Sequence, residues 1–217
     1  MSGIGAWTET ITNMLPPNKR WITGHDATGK SVFKESPPQL YHGRENVGGM
    51  ARSYAVSKIP AVLKDEADIK AYRNDDPAQE PTSYKATDIV VPNGTGANLV
   101  VVDLMPGGES QLHQTVSIDF SICVIGDIIS EQDNGEQVHL KPGVRVSTDV
   151  WVEMLMSGQD HIIQRGTMHK WINPSKTNAA RFVAVTLPCE PFEIAGKMLE
   201  EVHLKGTGPL QEDGSRL

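Results

Sequence analysis

A chain of 217 residues has room for one good core with a decorated edge, and two independent domains would be cramped. A net charge of -7 leaves no basic stripe for nucleic acid, and no apolar run reaches the length of a membrane span. The opening MSGIGAWTETITNML lacks the basic and apolar regions of a secretory leader, so a soluble, cytoplasmic protein is expected. Cys123 and Cys189 are the only cysteines and read as reduced, structural thiols.

In chain order, Arg20–His25 and Lys30–Phe33 flank a turn rich in Asp, Thr and Gly and predict a hairpin, and Arg52–Ile59 predicts a further strand. The polar stretch that follows has one short helical patch, Asp65–Tyr72, and reads as a solvated excursion. From Asn98 onward the pattern is all β. The segments NLVVVDLM, SQLHQTVSI, FSICVIGDIISEQ, EQVHLKP, DHIIQRG and RFVAVTL are punctuated by NGTG, PGG, DNGE and KPG, which suggests a sandwich or barrel. The end, around Lys197–Val202, is open between a short helix and strands. The last three residues, Ser215, Arg216 and Leu217, resemble a peroxisomal address with arginine as the cation, an alternative to the cytoplasmic location.

The stretch HQTVSID carries the chemistry. In an extended chain Gln111, His113, Thr115, Ser117, Asp119 and Ser121 share one face, while Leu112, Val116, Ile118, Phe120 and Ile122 share the other. The polar face either meets water, the commoner outcome in antiparallel sheets, or lines a pocket. A carboxylate inside a cavity has to be paired or neutralised, because desolvating an unpaired charge costs several kcal/mol.

GGESQLHQTVSIDFSICVIG resembles the first cupin motif, with Gly107, His113, Thr115, Asp119 and Gly126 in its places. GQDHIIQRGTMHKWIN resembles the second, through Gly158, Gln164, Gly166, His169 and Asn173. The chain is thereby similar to small single-cupin proteins of bacteria and fungal secondary metabolism. The resemblance implies an all-β double-stranded β-helix, a cupin jelly-roll barrel over 98–190. An N-terminal β arm over 1–97 would pack on it, and 191–217 would form a short C-terminal helix or strand extension.

The family's metal is held by three histidines and a glutamate. Here Thr115 stands in place of one histidine and Asp119 in place of the glutamate, leaving His113, Asp119 and His169 as a two-His, one-carboxylate face. Two arrangements follow. In one the three hold a divalent metal (Fe, Zn, Mn or Ni). In the other there is no cofactor, and Asp119 pairs with a histidine as an acid/base dyad.

Gln111, Thr115, Gln164 and Trp171 are the expected substrate contacts, the glutamines as neutral donors and Trp171 as a wall. His25, His42, His139, His161 and His203 are expected at the surface. Removing 144–159 restores KPGDHIIQRGTMH, the turn and strand of the related proteins, so that block is expected to be an insertion, with an ordinary extra strand as the alternative.

The implied function is a tailoring enzyme acting on a small carbonyl- or carboxyl-bearing metabolite by decarboxylation, dehydration or isomerisation. The alternatives are an Fe(II) dioxygenase using the same three residues, or a non-catalytic binding barrel. Resemblance also implies a homodimer, with no nucleic-acid or membrane partner.

Overall fold

The computed structural model describes residues 9–10, 15–44, 47–75, 82–85, 94–143 and 159–207. Its strands in chain order are β1 Glu9–Thr10, β2 Ile22–His25, β3 Ser31–Lys34, β4 His42–Arg44, β5 Gly48–Val56, β6 Ala97–Leu104, β7 Leu112–Gln114 and β8 Ser117–Ile125, followed by β9 Ile128–Gln132, β10 Gln137–Leu140, β11 His161–Arg165, β12 His169–Ile172, β13 Ala180–Pro188, β14 Glu193–Ile194, β15 Lys197–Met198 and β16 Val202–Leu204. One helix, α1 Ala67–Arg73, forms where the helical patch is predicted.

A seven-stranded sheet in the order β1-β4-β5-β6-β13-β8-β11 faces a five-stranded sheet in the order β10-β9-β12-β7-β16. The pairings within both are antiparallel. The family's double-stranded β-helix is therefore present as two apposed sheets rather than as a closed ring of hydrogen bonds. Two hairpins, β2-β3 and β14-β15, lie outside them. The first is the hairpin expected at 20–33. The second takes the place of a C-terminal helix, so the ambiguous end resolves to strands.

The core lies between the sheets. Met50, Val100, Val102, Leu104, Phe182 and Ala184 project from the large sheet, and Ile128 and Trp171 from the small one. Two turns depend on glycine. Gly126 closes β8 onto β9 with φ +67, and Gly166 turns between β11 and β12 with φ +63, where a Cβ would sit 2.8 Å from Leu199 Cδ2. On strands β13 and β6, Arg181 and Asp103 lie opposite each other and form a buried two-pronged ion pair at 2.5 and 2.6 Å.

The strand β5 of the 1–97 segment continues the large sheet across the expected boundary at 97/98. β5 is hydrogen-bonded along β6 from Gly48 opposite Leu104 to Val56 opposite Ala97. The C-terminal segment is equally integral, since β16 pairs with β7. Of the 144–159 block, all but Gln159 lies outside the described residues, Gly158 included, but its two flanks meet. Asp160 N–H donates to Lys141 O at 2.9 Å, and Lys141 N–H donates to the Asp160 carboxylate at 2.9 Å. The chain therefore leaves and returns at nearly one point. Ser215, Arg216 and Leu217 also lie outside the described residues. No described helix is long and apolar enough to cross a membrane.

Candidate active site

The alternation along HQTVSID persists across a change of sheet. β7 ends at Gln114 in the small sheet, and β8 begins at Ser117 in the large one. The inner faces of the sheets oppose each other, so the same set of alternate residues stays inside. In β8, Ser117, Asp119 and Ser121 are buried, while Phe120 and Ile122 are 40% and 37% exposed. The polar face thus turns inward and the apolar face outward, against the usual pattern for an antiparallel sheet.

A cavity of about 90 Å³ lies between the sheets. At one side it meets core residues such as Val100, Val102 and Phe182. Its chemical side presents Gln111, His113, Thr115, Asp119, His169 and His203. Cross-strand register assembles the histidines. His113 on β7 lies opposite His169 on β12 and opposite His203 on β16, and directly opposed residues share a face. The His113 and His169 rings are 4.4 Å apart between centroids, and the His113 and His203 rings stack at 5.7 Å with 4° between their planes.

Local backbone sets the tautomers. His113 Nδ1 is 2.8 Å from Gln111 O, and His169 Nδ1 is 2.8 Å from Thr167 O. A carbonyl only accepts, so each Nδ1 carries the hydrogen, and in the neutral ring each Nε2 keeps its lone pair. Both rings are held neutral by burial. Desolvation, reinforced by the neighbouring His169 and His203, pushes His113 down to about 3, and desolvation also lowers His169.

Asp119 comes from the opposite sheet. Burial pushes its carboxyl up to about 6, against the hydrogen bond that Ser117 donates to it. Thr115 Oγ1 lies 2.7 Å from Ser117 Oγ, and with the Ser117 hydrogen committed to the carboxylate, Thr115 is the donor to Ser117. Asp119 Oδ1 is buried with no hydrogen-bond partner among the described residues.

Neither expected arrangement of the three principal residues is formed. Among the described residues no three His, Cys, Asp or Glu side chains come together to hold a metal ion. His113, Asp119 and His169 share the cavity, but as placed they do not fit a bound divalent metal. Nor is a dyad formed, because Asp119 Oδ1 has no hydrogen-bond partner among the described residues, while His113 and His169 bond backbone carbonyls through Nδ1.

Of the expected substrate contacts, Gln111, Thr115 and Trp171 line the cavity. Trp171 stands edge-on to His169 and packs on Phe182 at 4.5 Å. Gln164 does not line it. Although it lies opposite Asp119 in register, its amide donates to Ser130 Oγ at 3.0 Å and accepts from Thr167 at 2.7 Å, tying the large sheet to the small one.

Two histidines expected at the surface are placed otherwise, His203 half-buried and His42 buried. His203 lines the cavity, with Nε2 3.1 Å from Glu201 Oε1. His42 is buried, and neither ring nitrogen has a hydrogen-bond partner among the described residues. The sequence carried no signal for His203, because β16 has only three residues and its partner strand β7 lies far back in the chain. His25, His139 and His161 are exposed as expected.

No family model matches the chain. It is 37% identical over 186 residues to Phomopsin biosynthesis cluster protein C' of Diaporthe leptostromiformis, covering 84% of each chain. It is 30% identical over 187 residues to the cupin-domain-containing oxidoreductase fogC of Aspergillus ruber, covering 83% of this chain and 77% of that one. The chain belongs to the cupin family.

This cupin is also 30% identical over 189 residues to Oryzines biosynthesis cluster protein J of Aspergillus oryzae, covering 86% of this chain and 92% of the relative. Its relatives are thus proteins of fungal secondary metabolism. Among solved structures, a cupin-2 domain from Rhodospirillum rubrum aligns with a TM-score of 0.34 and 11% identity over 54% of this chain and 59% of that one. At that level the alignment adds nothing to the family assignment. The cupin's Asn173, the last residue of the second motif, is fully buried. Its Nδ2 reaches Leu104 O at 3.2 Å, Met105 O at 2.9 Å and Asn178 O at 2.8 Å, locking the loop behind β12.

Proposed function

We propose that this cupin is a small-molecule tailoring enzyme of secondary metabolism. Its chemistry is non-oxidative acid/base catalysis on a carbonyl-bearing metabolite, and Asp119 is the base. The observation that carries this reading is a carboxyl group sealed in a cavity, with one oxygen unpartnered and two neutral imidazoles sharing the same space. A base whose ionisation lies near the working pH combines a useful carboxylate fraction with proton affinity well above that of an ordinary carboxylate.

In the proposed step the Asp119 carboxylate takes a proton from the carbon beside the substrate carbonyl. The C–H electron pair moves into the enolate, whose oxygen accepts a hydrogen bond from the Gln111 amide. Return of the same proton from Asp119 to a different carbon completes an isomerisation. If a hydroxyl on the next carbon leaves instead, it takes the proton and departs as water, completing a dehydration. Thr115 and Ser117 orient the carboxylate, and Trp171 and Phe182 keep bulk water from the enolate.

The test is exchange of the α-hydrogens of small aryl ketones in D2O, followed by NMR, which needs no knowledge of the natural substrate. Exchange is expected to exceed the buffer rate, to rise with pH through about 6 as Asp119 ionises, and to fall at least 100-fold in Asp119→Asn. Exchange that is unchanged in Asp119→Asn removes the proposal.

A second reading, an oxidoreductase, is favoured by the similarity to the cupin-domain-containing oxidoreductase fogC. Oxygen consumption on addition of ferrous iron and candidate substrates, lost in His169→Ala, would select it.

A further inference from the structure

The cavity's hydrogen-bonding groups carry one polarity. Its strongest polar groups, His113 Nε2, His169 Nε2 and the Asp119 carboxylate, all accept. The hydrogens of the nearby hydroxyls are largely spent within the protein. Ser110 Oγ donates to Gln111 O at 3.0 Å, Thr115 donates to Ser117, and Ser117 donates to Asp119. The Gln111 amide, the Ser121 hydroxyl and the Trp171 indole N–H are the remaining neutral donors on the described lining, and Thr186 has interactions of its own.

No lysine or arginine is among the described lining residues. The nearest cations in sequence are committed elsewhere. Lys170 alternates away from His169 and Trp171 and pairs with Glu109 and Glu131, and Arg181 is held by Asp103. An anion entering here would lose its hydration, meet no countercharge and face Asp119, whereas a hydroxyl hydrogen would satisfy an orphaned acceptor.

We infer that the cavity selects neutral ligands that combine an apolar body with hydrogen-donating oxygens, the chemistry of a phenol or an enol, and that it rejects carboxylates. This rests on the proposed use of the cavity as the ligand site and narrows it. Decarboxylation, which needs a carboxylate to enter, falls away, and isomerisation and dehydration remain. Side-by-side acceptors on His113 and His169 suit two neighbouring hydroxyls better than one.

The experiment is binding of 4-ethylcatechol, 4-ethylphenol and 4-ethylbenzoate at pH 7.5, measured by titration of the ¹⁵N-labelled protein and read at the Trp171 indole N–H. The catechol is expected to bind at least 10-fold more tightly than the benzoate, with the phenol between them. In Asp119→Asn, which removes the negative charge and adds an amide donor, the benzoate should gain at least fivefold and the catechol should weaken. Benzoate binding as tightly as catechol, with the Trp171 resonance responding to both, overturns the selectivity while leaving the cavity as a ligand site. No response at Trp171 to any of the three overturns the inference together with the ligand site on which it rests.

Discussion

Asp119→Asn should stabilise the protein at alkaline pH while disabling it. A buried carboxyl raised from its ordinary 3.8 to about 6 binds its proton more tightly in the folded state than in the unfolded one. Below 3.8 both states are protonated and the group costs nothing. Between 3.8 and 6 the unfolded chain releases a proton that the folded chain retains, so stability falls as pH rises. Above 6 the loss has reached its full value of about 3 kcal/mol.

Asparagine has the same shape and never ionises, so the variant escapes that loss. Its amide nitrogen has no evident acceptor, which costs about 1 kcal/mol. The net expectation is a variant about 2 kcal/mol more stable than wild type at pH 8, and about 0.5 kcal/mol less stable near pH 4. His113 and His169 work in the opposite direction, since their depressed values give stability above 6.5 that is lost as pH falls. They are common to both proteins and cancel in the difference. Urea unfolding of both proteins at pH 4.5, 5.5, 6.5 and 8 supplies the measurement. A wild-type advantage that persists at pH 8, or a difference that does not change with pH, refutes the burial argument for Asp119.

Asn173→Ala removes an amide whose two hydrogens are shared among three carbonyls and leaves buried carbonyls unpaired, so it should cost about 3 kcal/mol in urea unfolding, and a loss below 1 kcal/mol would contradict the locking role. Arg181→Met strands the Asp103 carboxylate between β6 and β13 without its guanidinium and should cost about 3–5 kcal/mol, most of it regained in an Asp103→Leu/Arg181→Met double variant. Equal instability of the single and double variants would show that the pair contributes net stability rather than only satisfying itself.

The cupin motifs made the fold class legible, and the two-residue alternation from Gln111 to Ser121 identified which residues share a face even though the strand changes sheets at Thr115 and Val116. That pattern survives because both inner faces look into the same space. The direction in which it faced was not legible. The polar face could have met water or lined a pocket, and the structure turns it inward and leaves Phe120 and Ile122 exposed.

Sequence by itself determined which residues lie on a common face, where glycine turns such as Gly126 and Gly166 break the strands, and that His113, Asp119 and His169 belong to one constellation. Tertiary structure alone decided three things. The cross-strand register of β16 on β7 brought His203 beside His113. Competing local bonds drew Gln164 away to Ser130 and Thr167. The apposition of the two sheets set Asp119 across one cavity from His113 and His169. Alternation is a property of the local backbone, whereas register and inter-sheet spacing are set by contacts between segments distant in the chain, and no local pattern encodes them.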